Sequence, residues 1–496
     1  MDKRTEVTNV QLSNNGPESI DVNSTPSVLS KRVKGYLTFE NECHRKNFIQ
    51  SCCVYFNFIL LGWTYGQLGT AFPDLQLILN TNVEQTSLVF TMNSVGYMAG
   101  SVGIGFVYDR VSHLKLLGVL SVVNGVTSIV LPWCKLFGLF LAVRFIDGFL
   151  CGGRDAGGNA KVASCWGTEG RQYMQALHFT YALGGIISPL VTSLFLAPRI
   201  HIPSTENITF ENVTYSSDDR SENTTTDFLG LKPVDDAVLY GETKVHIAFV
   251  ITGLLTSFSG LHYILLYRQG YDKIPPYSKP IQEQRVSPST DLGMSRVNFT
   301  RTQRFIFIVV LGVSVVSYST VECKYQSFIM PFVQMQLNWG KSKGAHLISL
   351  LWAFYGIGRF AGIFISRFLV PSYLLISFLG MVIIASCGMC IASYFLIDAV
   401  VWIMVPLAGF GISVIFPTFI VWTQENALKI SGKMGGFFLF VGALGFFIDP
   451  LYIGVLMENV SPMYFNYLNI GEGLFAIIIF LILLYWIGLL RKQNTT

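Results

Sequence analysis

The string A-L-G-G-I-I-S-P-L, Ala182 to Leu190, returns without a gap as A-L-G-F-F-I-D-P-L, Ala443 to Leu451, and shares six of its nine residues. A second pair, G-F-V-Y-D-R from Gly105 to Arg110 and G-I-F-I-S-R from Gly362 to Arg367, recurs at nearly the same separation, 257 residues against 261. Two matches at almost one spacing read as one duplicated unit. Outward from these strings run twelve apolar stretches, at about 47–71, 83–107, 114–133, 136–160, 171–197 and 244–267, then 304–332, 345–369, 371–396, 399–423, 433–457 and 463–490. The composition agrees: 51% of the 496 residues are apolar and only 13% charged, against roughly 25% in soluble domains. A crossing takes about 20 apolar residues, so this stock fills about a dozen spans and leaves no second, water-soluble domain. The predicted fold is an all-α polytopic membrane protein of twelve transmembrane helices in two six-helix halves, 47–267 and 304–490.

Two polar segments predict the orientation. Residues 198–243 carry nine acids against Arg199, Arg220 and Lys232, with N-x-[ST] acceptors at Asn207, Asn212 and Asn223, which are modified only on the luminal side. Residues 268–303 are basic (Arg268, Lys273, Lys279, Arg285, Arg296, Arg301), which predicts a cytoplasmic central loop. Counting spans then makes residues 1–46 and 491–496 cytoplasmic tails, with no cleavable signal peptide before the first span and the plasma membrane as the expected site. Lys341 and Lys343, in a predicted outer loop, go against the charge rule. Net charge is only +4 and scattered, so no nucleic-acid partner is expected. Cys52, Cys53, Cys151, Cys165, Cys323, Cys387 and Cys390 lie in or beside apolar stretches, as packed thiols do.

Several chemistries are excluded. G-K-S at Gly340 to Ser342 lacks the first P-loop glycine, since position 335 is Met, so nothing supports ATP-driven pumping. Cys387 and Cys390 form one C-x-x-C without a second pair or a nearby His, which fits packing rather than zinc. G-I-G-R-F-A from Gly356 lies inside a span and reads as helix packing, not a dinucleotide loop. No enzyme activity, cofactor or resident metal is expected.

The mechanistic signals sit after the second span and in the fourth. G-F-V-Y-D-R-V-S-H-L-K, Gly105 to Lys115, resembles the signature loop of major facilitator transporters, with Ser112 where the pattern has its second glycine. The resemblance implies a gate of Gly105, Asp109 and Arg110: the glycine for close helix approach, the charges for a latch at the cytoplasmic edge. R-F-I-D-G-F-L-C-G-G, Arg144 to Gly153, resembles that family's fourth-helix signature and adds Arg144 and Gly148. At about 100° per residue, Asp147, Cys151, Arg154, Asp155 and Asn159 share one broad face, and charges inside a bilayer normally face a cavity or each other. Arg144 or Arg154 could each pair with Asp147.

Other strings narrow the likeness: G-Q-L-G-T-A-F-P-D-L (Gly66 to Leu75), D-A-G-G-N (Asp155 to Asn159), W-G at Trp166, M-Q-A-L-H-F (Met174 to Phe179) and V-E-C-K-Y (Val321 to Tyr325). As a set they resemble the sodium-dependent glucose transporter 1 family of major facilitators, distantly similar to fucose permeases. Asp155 takes that family's acidic position, Ala156 stands where Thr is usual, and Lys324 after Glu322 is a departure. The resemblance implies a glucose-like substrate and sodium as co-transported ion, with Asp155 and Glu322 as coupling acids. Hydroxyls want amide and carboxylate partners and sugar C–H faces want aromatic rings, so Gln67, Asn159, Gln175, His178, Glu322, Tyr325 and Trp352 are candidate substrate residues. The expected partners are therefore sugar, sodium and lipid bilayer, with a monomer as the functional unit. An uncoupled or proton-coupled carrier of another polar solute (urea, a polyol, a fucose-like sugar) and a transport-dead sensor stay open.

Overall fold

The computed structural model describes residues 42–166, 170–200, 239–273, 297, 299–366, 368–428 and 432–495. These residues are almost all helical. The first half holds α1 (Glu42–Leu79), α2 (Val83–Val107), α3 (His113–Val130), α4 (Phe137–Trp166), α5 (Gly170–Ser193) and α6 (Val245–Arg268). The second holds α7 (Arg301–Ser327), α8 (Ile329–Leu337), α9 (Lys341–Ile365), α10 (Pro371–Tyr394), α11 (Asp398–Ile412), α12 (Ile415–Asn426), α13 (Gly432–Asn459) and α14 (Tyr464–Thr495).

Proline explains the extra helices. Pro331 and Pro417 have no N–H for the carbonyls of Ser327 and Ser413, and the helix breaks there, so α7–α8 and α11–α12 are two interrupted segments. Twelve helical segments therefore stand among the described residues. Nine are long and apolar enough to cross a membrane; α2, α4 and α5 are more polar. Two boundaries differ from the sequence reading. Helix α1 starts at Glu42 and α14 runs to Thr495, so both helices reach into the segments expected as tails.

The duplication is visible in the packing. In the first half α1 pairs with α5, α2 with α4 and α3 with α6; in the second α7 pairs with α13, α9 with α11 and α10 with α14. The first of the repeated strings makes equivalent contacts in the two halves. A Cβ on Gly184 would run into the Ile59 carbonyl and Trp63 nitrogen of α1, and one on the matching Gly445 into Ser319 and Thr320 of α7. The halves meet through α2 on α13 and α5 on α9, a swap of equivalent helices.

Between described residues, the hydrogen bonds and ion pairs that join the halves gather toward the end where β1 (Arg199–Ile200) pairs antiparallel with β2 (Leu239–Tyr240). There Lys341 of α9 binds Asp74 of α1 at 2.5 Å, both side chains buried, while Asp74 also accepts from the Ala197 amide and Thr243. Val83 N donates to Glu458 at 3.0 Å and Ser87 Oγ to the Pro450 carbonyl at 2.7 Å. Pro450 frees the Phe446 carbonyl from its helix bond, and Ser94 Oγ of α2 takes it at 3.0 Å. The two lysines that defied the charge rule are thereby explained: Lys341 is neutralised by Asp74, and Lys343 by Asp398 while lying 3.8 Å over the Trp339 ring. At the other end Phe106 is 73% exposed and, among the described residues, nothing lies within 4 Å of a Cβ built on Gly105, Gly435 or Gly436.

Candidate functional site

Helix α4 divides its polar face between two tasks. Arg144 pairs with Asp147 one turn on, at 2.7 Å with both side chains buried. Asp147 also accepts from Asn124 at 2.7 Å, and Asn124 in turn accepts from Arg154. Arg154 donates further to Asn57 of α1, at 2.8 and 2.6 Å. This edge is a closed network toward α1 and α3 with an amide between Arg154 and Asp147. Of the two pairings open to Asp147 the structure makes the one with Arg144, and this part of the broad polar face is taken up by packing. Gly148 and Gly152 lie against the backbone of α2 at Asn93 and Tyr97, where a methyl group has no room.

The other edge turns to the centre. Asp155 accepts from the Tyr97 hydroxyl of α2 and from Asn159 Nδ2 at 2.6 Å, an i,i+4 pair. Across from it, Glu322 of α7 lies 2.8 Å from the Tyr318 hydroxyl, 3.0 Å from the Tyr355 hydroxyl and 3.0 Å from Gln326 Nε2. The Tyr318 hydroxyl is also 2.7 Å from the Ile412 carbonyl, so its single proton serves one acceptor at a time. Arg359, one turn after Tyr355 on α9, donates to the Tyr355 hydroxyl and lies 4.6 Å over its ring. The Tyr355 hydroxyl donates in turn to Glu322, so Arg359 is linked to that carboxylate through the phenol. Arg359 Nε is buried without a hydrogen-bond partner. One carboxylate from each half is thus held by side-chain donors here, Glu322 linked to Arg359 through the Tyr355 hydroxyl and Asp155 held by Tyr97 and Asn159.

Aromatic rings close this centre. Trp352 sits edge-on to Tyr181 of α5 at 5.7 Å and to Tyr355 at 5.4 Å, with Gly185 beneath the indole and its Nε1 buried without a partner. His178 is half-buried and edge-on to Phe58 at 6.3 Å.

The other expected substrate residues stand elsewhere. Tyr325 is fully buried inside the second half, its hydroxyl 3.0 Å from Ser386 Oγ and its ring against Phe465, so it is a core residue. Gln67 points into the α1–α6 seam, accepting from Thr252 at 2.8 Å, whereas the face of α1 turned to α7 is carried by Gly69. Gln175 is exposed. Of the gate, Gly105 touches no neighbouring helix among the described residues, where a close approach was expected of it, and Arg110 is exposed. The side chain of Asp109 and all of Asn207, Asn212, Asn223 and Asn298 lie outside the described residues. Ser112 caps α3 with extended backbone, φ −60° and ψ 121°, so that position needs no glycine.

Sequence reasoning passed over Tyr97, Tyr318, Tyr355 and Arg359. The arginine had a usable signal, a charge inside an apolar span, masked by the glycines around it in G-I-G-R-F-A.

Comparison with known proteins gives a consistent picture. "Sodium-dependent glucose transporter 1A" of Mus musculus is 25% identical over 86% of this chain and 94% of its own length. "Sodium-dependent glucose transporter 1" of Homo sapiens is 26% identical over 86% and 77%. Among solved structures, a bacterial homolog of the human lysosomal transporter Spinster, inward-facing and unoccupied, superposes with a TM-score of 0.61 at 13% identity, over 90% of this chain and 97% of that one. The sequence pattern of the Major Facilitator Superfamily matches residues 51–204 and 236–450. With that pattern over more than half its length, on two packed and duplicated helical halves, this chain is a multi-pass membrane protein belonging to the Major Facilitator Superfamily.

Proposed function

We propose that this chain carries a hexose-like sugar, glucose first among them, across the plasma membrane by alternating access, coupled to sodium. The observation that carries the reading is the pair of carboxylates contributed by opposite halves, Asp155 bonded to Tyr97 and Asn159, and Glu322 bonded to Tyr318, Gln326 and Tyr355, with Tyr355 in turn bonded to Arg359. Alternating access needs a midplane site whose ligands come from both halves, so that rocking changes their spacing. Sugar hydroxyls would be held by Asp155, Asn159 and Glu322, with Arg359 and Tyr355 as added ligands and Trp352 and His178 as walls. The curated relatives named above, sodium-dependent glucose transporters, support both sugar and ion. In this reading all twelve segments cross, both termini are cytoplasmic and the β1–β2 end is extracellular. Closure at that end then makes the described state inward-facing, with the Gly105 to Arg110 gate disengaged.

The test is uptake of labelled glucose into vesicles carrying the purified protein, with sodium replaced by choline. Concentrative uptake only with sodium supports the proposal. Equilibrative or proton-driven uptake, or uptake of a different solute, supports the uncoupled or proton-coupled alternative, and no transport of any solute supports a sensor.

A further inference from the structure

Inside the second half, away from the centre, a lysine is enclosed by two acids. Lys324 of α7 is completely buried; its Nζ is 2.7 Å from Asp449 Oδ1 of α13 and also donates to Glu472 of α14. Glu472 accepts in addition from Thr320 and Tyr452. Asp449 is 0% exposed, and its Oδ2 is buried with no hydrogen-bond partner of good geometry. Two carboxylates against one ammonium leave one negative charge uncompensated where water is scarce, and such a charge is costly in a bilayer.

The first half makes a comparable bridge without charge. In the repeated string Asp449 stands where the first half has Ser188. In the first half Trp63 Nε1 donates to Thr252 Oγ1 of α6 at 2.8 Å, the same bridge from first to last helix that Lys324 makes to Glu472. One half bridges its first and last helices with Trp63 and Thr252, the other with Lys324 and Glu472, and only the second of these bridges is charged.

We propose that Asp449 and Glu472, bridged by Lys324, form a binding site for one monovalent cation, a proton or sodium, within the second half. The proposal rests on the reading of the chain as an ion-coupled carrier. The cation supplies the missing positive charge and brings the cluster to neutrality, with the orphaned Asp449 Oδ2 as its acceptor. It enters past Glu472, whose side chain is 19% exposed while Asp449 and Lys324 are sealed. The titratable groups facing the site are Cys323 and Lys324 on α7, Tyr452 on α13 and Glu472 on α14.

The experiment needs no sugar. The thermal midpoint of the purified full chain is followed in sodium against choline at constant ionic strength, and in choline across a pH series. A midpoint that rises with sodium identifies sodium; one that moves only with pH identifies the proton. Asp449→Asn is expected to weaken the apparent affinity for that cation at least about tenfold. Glu472→Gln removes the same charge and keeps the Thr320 and Tyr452 contacts, so it carries the test if Asp449→Asn does not fold. The triple variant Lys324→Trp, Asp449→Ser, Glu472→Thr, which removes all three charges and uses the uncharged residue types of the first half's bridge, is expected to fold and to lose the response. A wild-type response in these variants, or none to either cation in the wild type, overturns the site. A cation response without sugar uptake overturns the sugar reading and leaves the site standing.

Discussion

Replacing Lys341 with Met tests whether the ion pair to Asp74 holds the β1–β2 end shut. Both side chains are buried, 5% and 0% exposed, and they come from opposite halves 2.5 Å apart. Removing one partner of such a pair costs about 3–5 kcal/mol, because the other charge stays buried and unpaired. Asp74 keeps the Ala197 amide at 2.8 Å and the Thr243 hydroxyl, which places the loss near the lower figure. The penalty applies only while that end is closed, since opening hydrates Asp74. At about 1.4 kcal/mol per tenfold, 3 kcal/mol shifts the equilibrium by about a hundredfold, enough to bring a 99:1 population to near parity. The assay is the distance distribution between spin labels at Leu77 and Val460, exposed positions of the first and second halves near that end, in a background without the nine native cysteines. Lys341→Met is expected to add a longer-distance population, and adding Asp74→Asn, which removes the stranded charge, to withdraw most of it. An unchanged distribution in a folded Lys341→Met protein refutes the latch.

Other perturbations address the centre, the duplication and the orientation. Asp155→Asn at matched surface expression is expected to abolish ion-driven sugar accumulation while sugar exchange persists; undiminished accumulation removes Asp155 from coupling. Gly184→Val and Gly445→Val drive side chains into the neighbouring helix at equivalent seams, so each is expected to cost about 1–3 kcal/mol or more, seen as a lowered thermal midpoint, with tolerance at either seam counting against the shared packing. Replacing Asn207, Asn212 and Asn223 together is expected to remove a glycosidase-sensitive mass shift, and a glycan on Asn298 would invert the topology.

Hydropathy and the two repeated strings were enough to place the helices and the division into halves. Crossing a bilayer is a local requirement: each segment must satisfy its own backbone bonds and present apolar side chains, and both demands are written in consecutive residues. The glycines of the repeat carried even their packing seam, because a missing Cβ matters wherever two backbones touch. Which polar residue serves the centre was decided only in three dimensions. Asp147, Arg154 and Asp155 share one helix, yet Asn57 of α1 and Asn124 of α3 enclose the first two, which are buried, and leave the half-buried Asp155 to Tyr97 and Asn159. Gln67 and Tyr325 had the right chemistry on the wrong side of their helices, and a few tens of degrees of helix rotation separate a ligand from a core contact. A buried charge is neutralised by whatever the neighbouring helices present. That neighbourhood is a property of the packing between helices, about which the period within any single helix says nothing.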